Sequence, residues 1–163
     1  MATTSSRALY RSRQVYHALW PRIPADDLEY ARRLMTEAEA RLFKAMQRRD
    51  QRHALEVMRR LRETTETRDL LIAALLHDCG KGDVPVWLRI LHVAAPQFGQ
   101  TMGKRGARDW RGAAYRLHRH VEISAQLVHE AGCSALTVRL IAGTHSPDEA
   151  HLASLLYAAD DAS

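Results

Sequence analysis

The sequence predicts an all-α protein, a single-domain bundle of six to seven helices. Apolar residues recur three and four positions apart through most of the 163-residue chain, which is the spacing of one face of a helix. No stretch keeps the strict alternation of apolar and polar residues that a half-buried strand requires. Glycine, proline and capping residues separate the periodic runs, and they mark where each helix is expected to begin and end.

Composition and charge narrow the class of protein. A chain of this length can bury roughly two-thirds of its unfolded surface in one domain, and 46% hydrophobic with 26% charged residues do not suit a disordered chain. The longest strongly apolar run, residues 70–76, is much shorter than the roughly 20 residues of a membrane span. The first seven residues carry no apolar segment of a secretion signal. We therefore expect a soluble, cytoplasmic protein.

The chain divides into an arginine-rich leader, residues 1–25, and a helical domain, residues 26–163. One amphipathic helix is expected from Asp26 to about Gln47, because its apolar residues keep to one side. Asp50 is a plausible N-cap for the next helix, and His53 stands at the start of its apolar stripe. That stripe consists of Ala54, Val57, Met58 and Leu61.

The next predicted helix is the most apolar one. Thr67 can cap a helix from Arg68 to Cys79, and Gly80-Lys81-Gly82 ends it. Because this helix is apolar nearly all round, it belongs at the centre of the core. One more amphipathic segment is expected from Pro85 to Ala95.

A glycine- and arginine-rich stretch, residues 99–112, is expected to form a loop before the fifth or sixth helix. It holds half of the eight glycines. Helical patterning resumes over Tyr115–Ala131 and again over Ser134–Thr144. Ser146 to Glu149 then combine an N-cap, a proline at the first helical position and the glutamate of a capping box.

The last predicted helix follows this capping box. Its buried face carries Leu152, Leu155 and Leu156, and Asp160 continues that face four residues after Leu156. Asp161 points about 100° away and is expected to face solvent.

The pair His77-Asp78, at the end of the most apolar helix, indicates a functional site. A desolvated carboxylate needs a cation or strong hydrogen-bond donors, and one metal ion beyond the helix end is within reach of both side chains. Other residues that begin or end a predicted helix, or lie on its apolar face, are His53, His120, His145 and Asp160. Four histidines and two aspartates are enough for two metals that share one bridging carboxylate.

These residues resemble a known family. The order His53, His77-Asp78, Asp160 is similar to the H…HD…D signature of the HD-domain metal-dependent phosphohydrolases, an all-helical superfamily. The segments DQRHAL (residues 50–55) and AALLHDCGK (residues 73–81) resemble that family's local contexts. The segments around His120, His145 and Asp160 are most similar to the branch with two extra histidines, which includes the symmetrical diadenosine tetraphosphate hydrolases.

The resemblance implies a fold of the HD-domain type and a set of metal ligands. It implies that His53, His77, Asp78 and Asp160 hold one metal, and that Asp78 bridges to a second metal held by His120 and His145. Iron or manganese is the expected metal, and magnesium, cobalt, nickel or zinc stays open. Lys81 matches the lysine of the family's HDxGK segment, where it contacts phosphate or the carboxylates of the site.

The predicted function is hydrolysis of a nucleotide or dinucleoside polyphosphate by metal-activated hydroxide. Arginine accounts for 21 of the 24 basic residues and the net charge is +5, which favours phosphate-bearing partners. The candidate catalytic residues are Asp78 and Lys81. The candidate substrate-binding residues are Lys81, His118, Arg116 and Arg119, the last two because they flank His120.

A different class of function stays open. The HD scaffold could bind a nucleotide or a partner with little or no turnover. Nucleic acid is disfavoured as a partner, because the arginine-rich stretch lacks the aromatic residues of a base-stacking surface. We expect a phosphorylated small-molecule substrate, no membrane partner, and a monomer or homodimer.

Overall fold

The computed structural model describes residues 24–95 and 97–163, and this part of the chain is helical without strands. The all-α prediction is confirmed, and residues 24–95 and 97–163 form ten α-helices, more than the six or seven that were predicted. The helices are α1 (Ala25–Leu34), α2 (Glu37–Ala45), α3 (Arg48–Arg62), α4 (Arg68–Leu76), α5 (Val86–Ala94), α6 (Gln97–Met102), α7 (Trp110–His118), α8 (His120–Glu130), α9 (Ala135–Ala142) and α10 (Ala150–Asp161). Within this part of the chain, no helix combines the length and apolar character needed to cross a bilayer.

The predicted arginine-rich leader, residues 1–25, lies almost entirely outside the described residues. The single helix predicted from Asp26 to Gln47 is two helices, α1 and α2. Thr36 begins the second one, because its hydroxyl accepts the Glu39 N–H and the Glu39 carboxylate accepts the Thr36 N–H. This reciprocal capping box starts a new helix within a continuous amphipathic pattern.

The expected loop of residues 99–112 is partly helical. It contains most of α6, and Asp109 caps the start of α7 by accepting the Arg111 N–H. Gly112 lies in α7, where a Cβ would sit 1.9 Å from the Ala107 carbonyl oxygen. This glycine therefore permits a close approach of backbone and does not mark a loop. The helix predicted over 115–131 is likewise interrupted at Arg119, between α7 and α8.

Asp50 does not cap α3, contrary to the prediction. The helix begins at Arg48 after Gln47, and Asp50 lies in its first turn with only 4% of its surface exposed. Its two carboxylate oxygens accept hydrogen bonds of 2.9 and 2.6 Å from the Arg89 guanidinium. This bidentate, charge-assisted pair ties α3 to α5.

The core is built around α4, as the sequence predicts. Every residue from Leu70 to Leu76 is fully buried, and α4 is packed by α3, α9 and α10. The helix ends at Leu76, and a 3₁₀ turn follows over Cys79–Lys81. A short 3₁₀ turn over Pro147–Glu149, opened by the predicted Ser146 capping box, leads into α10. The end of α4 therefore delivers His77 and Asp78 to a fixed place beside the core.

Candidate metal centre

Side chains from four helix ends or faces meet in one cleft. The cleft has a volume of about 160 Å³, and we call it the histidine cleft. Its polar residues are His53, His77, Asp78, Lys81, His120 and Asp160. Its apolar side includes Val121, Leu140, Ile141, Leu156 and Tyr157. Residues that are far apart in sequence thus share one space next to the core.

Asp160 joins two histidines from different helices. Its Oδ1 accepts a hydrogen bond of 2.7 Å from His53 Nε2 and lies 3.3 Å from His77 Nε2. The hydrogen bonds from His53 and His77 hold the pKa of Asp160 well below its usual range. One ligand atom from each of these three residues lies within 4.8 Å of the other two. Two imidazole nitrogens and a carboxylate oxygen at this spacing suit a divalent transition metal.

Asp78 is the buried carboxylate of the site, 3% exposed. Its Oδ2 lies 2.5 Å from Lys81 Nζ and 3.6 Å from His77 Nε2, whereas its Oδ1 lies 3.8 Å from His120 Nε2. Burial raises the pKa of Asp78, but the charges of His77 and Lys81 outweigh burial and lower it. The carboxylate is therefore ionised, and each of its oxygens faces a different histidine.

Backbone carbonyls fix the orientation of two histidine rings. His77 Nδ1 lies 2.9 Å from the Ala74 oxygen, and His120 Nδ1 lies 2.8 Å from the Leu117 oxygen. A carbonyl can only accept, so each Nδ1 carries the proton and, in the neutral ring, Nε2 carries the lone pair. This second contact is the usual way that proteins orient a metal-binding imidazole.

The two rings differ in their preferred charge. Burial lowers the pKa of His120, which favours the neutral form that binds metals. Burial also lowers the pKa of His77, but its hydrogen bond with Asp160 and the charge of Asp78 together raise it above the ordinary value. A cation between these carboxylates would take the place of the extra proton on His77. The chemistry of the donor set thus fits a divalent metal ion.

The contact between the 3₁₀ turn and α8 places His120 beside Asp78. The Gly80 N–H donates a hydrogen bond of 2.8 Å to Ser124 Oγ. A Cβ on Gly80 would lie 2.6 Å from both the His120 oxygen and the Ser124 nitrogen. Only glycine lets the backbone of α8 approach this closely.

His145, the sixth predicted ligand, does not line the histidine cleft. It follows α9, and its Nδ1 is buried without a hydrogen-bond partner in the described part of the chain. The lining of the cleft thus contains five of the six predicted ligands.

Of the predicted substrate-binding residues, only Lys81 lies in the cleft. Arg116 donates hydrogen bonds to the backbone oxygens of Lys81 (3.2 Å) and Asp83 (2.9 Å), so it supports the turn after the site. Arg119 is exposed and pairs with Glu122 at 3.4 Å. His118 does not line the histidine cleft either.

Sequence reasoning missed a second cleft, of about 590 Å³, that we call the arginine cleft. It shares His53, Asp78 and Lys81 with the histidine cleft and adds Arg49, Arg52 and Arg89. Arg49 lies in the first turn of α3. Its spacing was a usable signal, because Arg49 precedes His53 by four residues and so lies on the same face of α3.

Comparison with known proteins gives one match. A family model described as HD domain matches residues 51–162, more than two-thirds of the chain and the whole of the site. No curated protein and no solved structure matches the chain.

Proposed function

This chain belongs to the HD domain family, and from this we propose that it hydrolyses a nucleotide or a dinucleoside polyphosphate such as diadenosine tetraphosphate. HD domains are typically metal-dependent phosphohydrolases, so the family supplies the reaction class. The observation that carries the proposal is the position of Asp78, whose two oxygens face His77 and His120 respectively. A carboxylate placed in this way suits the bridge between two metal ions that phosphoryl transfer uses.

The proposed ligands are those that the family resemblance implies, and the grouping of His53, His77 and Asp160 supports them. His53, His77, Asp78 and Asp160 would hold one divalent metal, and Asp78 with His120 would hold the second. His145 stays the candidate for a further ligand of the second metal, because its buried Nδ1 has no partner in the described chain. A buried polar atom without a partner costs about 1–3 kcal/mol, and such a bond would remove that cost.

The chain's own residues prepare the site for phosphate. When bound, divalent metals supply Lewis-acid charge and make water a stronger nucleophile near neutral pH. The apolar residues Leu140, Ile141 and Leu156 line one side of the cleft, and their exclusion of bulk water strengthens the electrostatic interactions inside it. Lys81 keeps its ammonium beside Asp78, where it can donate a charge-assisted hydrogen bond to a phosphate oxygen.

The second candidate function is an HD scaffold that binds a nucleotide or partner with little turnover. One observation favours it: His145 is not among the residues that line the histidine cleft, so the lining does not contain the full ligand set of the two-histidine branch. A binding module has no need of that full set.

Hydrolysis assays distinguish the two functions. Protein loaded with iron or manganese is incubated with AMP, ATP and diadenosine tetraphosphate, and the products are measured. We expect turnover of at least one of them, its loss in Asp78→Asn, and its retention in Asp161→Asn, which alters an exposed carboxylate next to Asp160 in α10. If the loaded protein binds one of these nucleotides without turning any over, the binding module replaces the enzyme.

A further inference from the structure

The arginine cleft adjoins the histidine cleft and is larger than it. Its volume of about 590 Å³ lies within the range of small-molecule sites. His53, Asp78 and Lys81 border both clefts, so a ligand can extend from one cleft into the other. The space beside the candidate metal centre is therefore wider than a single phosphate group needs.

The charges that line the arginine cleft are not balanced. Three carboxylates border it, and each already has a cation: Asp50 has Arg89, Asp78 has Lys81, and Glu56 has Arg59 at 2.7 Å. The two remaining cations are Arg49 and Arg52. Neither makes a hydrogen bond or a close ion pair with the described residues 24–95 and 97–163, and the charge of Arg52 contributes only a part of the lowered pKa of Glu56, after the hydrogen bond from Arg59. The cleft thus keeps two guanidinium groups available for an anion.

The third arginine of the cleft, Arg89, is held by hydrogen bonds. Arg89 is bound through both terminal nitrogens to Asp50 and also donates a hydrogen bond of 2.7 Å to Gln47 Oε1. Gln47 in turn donates to Asp83. Because Arg89 is already neutralised and fixed, it shapes the cleft, and the capacity to bind an anion rests on Arg49 and Arg52.

The spacing along α3 connects the arginines to the reacting site. Arg49 precedes His53 by four residues, about 6 Å of rise along the helix, and Arg52 is the immediate neighbour of His53. A phosphate held at the histidine cleft and a second one held by these arginines would therefore be close enough to belong to one polyphosphate chain. A nucleoside monophosphate has a single phosphate and cannot occupy both positions.

We propose that the arginine cleft binds a second phosphate of the substrate, next to the phosphate at the candidate metal centre. Arg49 and Arg52 are its specificity-determining residues, and they select polyphosphorylated substrates over monophosphates. This inference rests on the proposed phosphohydrolase function, because it assigns the place of the reacting phosphate to the histidine cleft. The inference concerns binding, so it can be tested by a measurement that does not require turnover.

Calorimetric binding of inorganic tripolyphosphate to the metal-loaded protein tests the cleft directly. We expect Arg49→Gln and Arg52→Gln each to weaken binding about tenfold, since a hydrogen bond to a charged group contributes that much or more. Arg48→Gln is the matched control, because Arg48 is exposed at the start of the same helix and does not line the cleft. Binding of inorganic monophosphate should change little in any of the three variants.

The outcomes separate this inference from the function on which it rests. Selective loss of tripolyphosphate binding in the two cleft variants supports the subsite, even if the wild type turns over no nucleotide. Wild-type affinity in both variants, or equal weakening in Arg48→Gln, overturns the subsite even if nucleotides are hydrolysed. In an active enzyme, the cleft variants should raise the KM for ATP and leave kcat and metal content unchanged.

Discussion

His53 and Asp160 are 107 positions apart in the sequence, and their Nε2 and Oδ1 atoms are 2.7 Å apart in the structure. The contact joins α3 to α10 across the end of α4. The candidate metal centre would therefore draw one ligand from α3, two from the end of α4, one from the start of α8 and one from α10. A site with this construction depends on the whole bundle being folded.

His120 should be needed for the second metal only. Its Nε2 faces Asp78 Oδ1 at 3.8 Å, whereas His53, His77 and Asp160 form a group of their own. We expect His120→Ala to retain about one metal per chain and to lose most of its hydrolytic activity. Elemental analysis checks this, with His129→Ala as the control because His129 is exposed on the same helix. Two metals in His120→Ala would place the second site elsewhere.

The ion pair of Asp50 and Arg89 should contribute to stability. Both side chains are mostly buried, 6% and 15% exposed, so removing one leaves the other uncompensated. We expect Asp50→Ala to lower the free energy of unfolding by about 3 kcal/mol, measured by urea denaturation. Asp161→Ala, which removes an exposed carboxylate, should change it by less than about 0.5 kcal/mol. Equal values for the two variants would show that the pair does not hold α5 against α3.

Cys133 should be unreactive in the folded protein. Burial raises the pKa of its thiol to about 12, and the nearby Glu39 carboxylate adds to the shift. At pH 8 the thiolate fraction should therefore be at least about a hundredfold smaller than in the unfolded chain, where the pKa is near 9. Alkylation followed by mass spectrometry of the Cys133 peptide measures both rates. Similar rates in the folded and unfolded chains would contradict the shift.

The same shift sets a pH dependence of stability. The folded state holds the Cys133 proton more tightly than the unfolded state, so its contribution to stability is complete below about pH 9. The contribution is lost as the pH rises from about 9 to about 12. Cys133→Ala should therefore reduce the loss of stability over this range in urea denaturation. An identical pH profile in the variant would exclude this thiol as the cause.

The central features of the fold and the site could be predicted from local sequence. Uniform apolar character marks α4 as the core helix, and a buried histidine-aspartate pair at its end marks the site. Helix breaks within amphipathic runs were harder to find. The capping box at Thr36 and the turn at Arg119 each end one helix and begin another, although the apolar residues keep the same spacing on both sides. Periodicity alone therefore predicts one continuous helix at each of these places.

The positions of the arginine side chains could not be predicted in the same way. Arg116 and Arg119 are neighbours of His120 in sequence, but the turn between α7 and α8 directs them to backbone oxygens and to Glu122. Asp50 and Arg89 are 39 positions apart, and their pairing depends on the packing of α5 on α3. The four-residue spacing of Arg49 and His53 can be seen in the sequence, but the place of Arg52 beside the site is seen only in the three-dimensional arrangement.

The metal content of anaerobically purified protein, measured by elemental analysis, tests the candidate metal centre most directly. We expect about two divalent metal ions per chain in the wild type, loss of both in folded Asp78→Ala, and wild-type content in Asp161→Ala. Asp78→Ala loses both because its carboxylate faces both halves of the site. No bound metal in the wild type after addition of iron or manganese, or wild-type content in Asp78→Ala, would contradict the account.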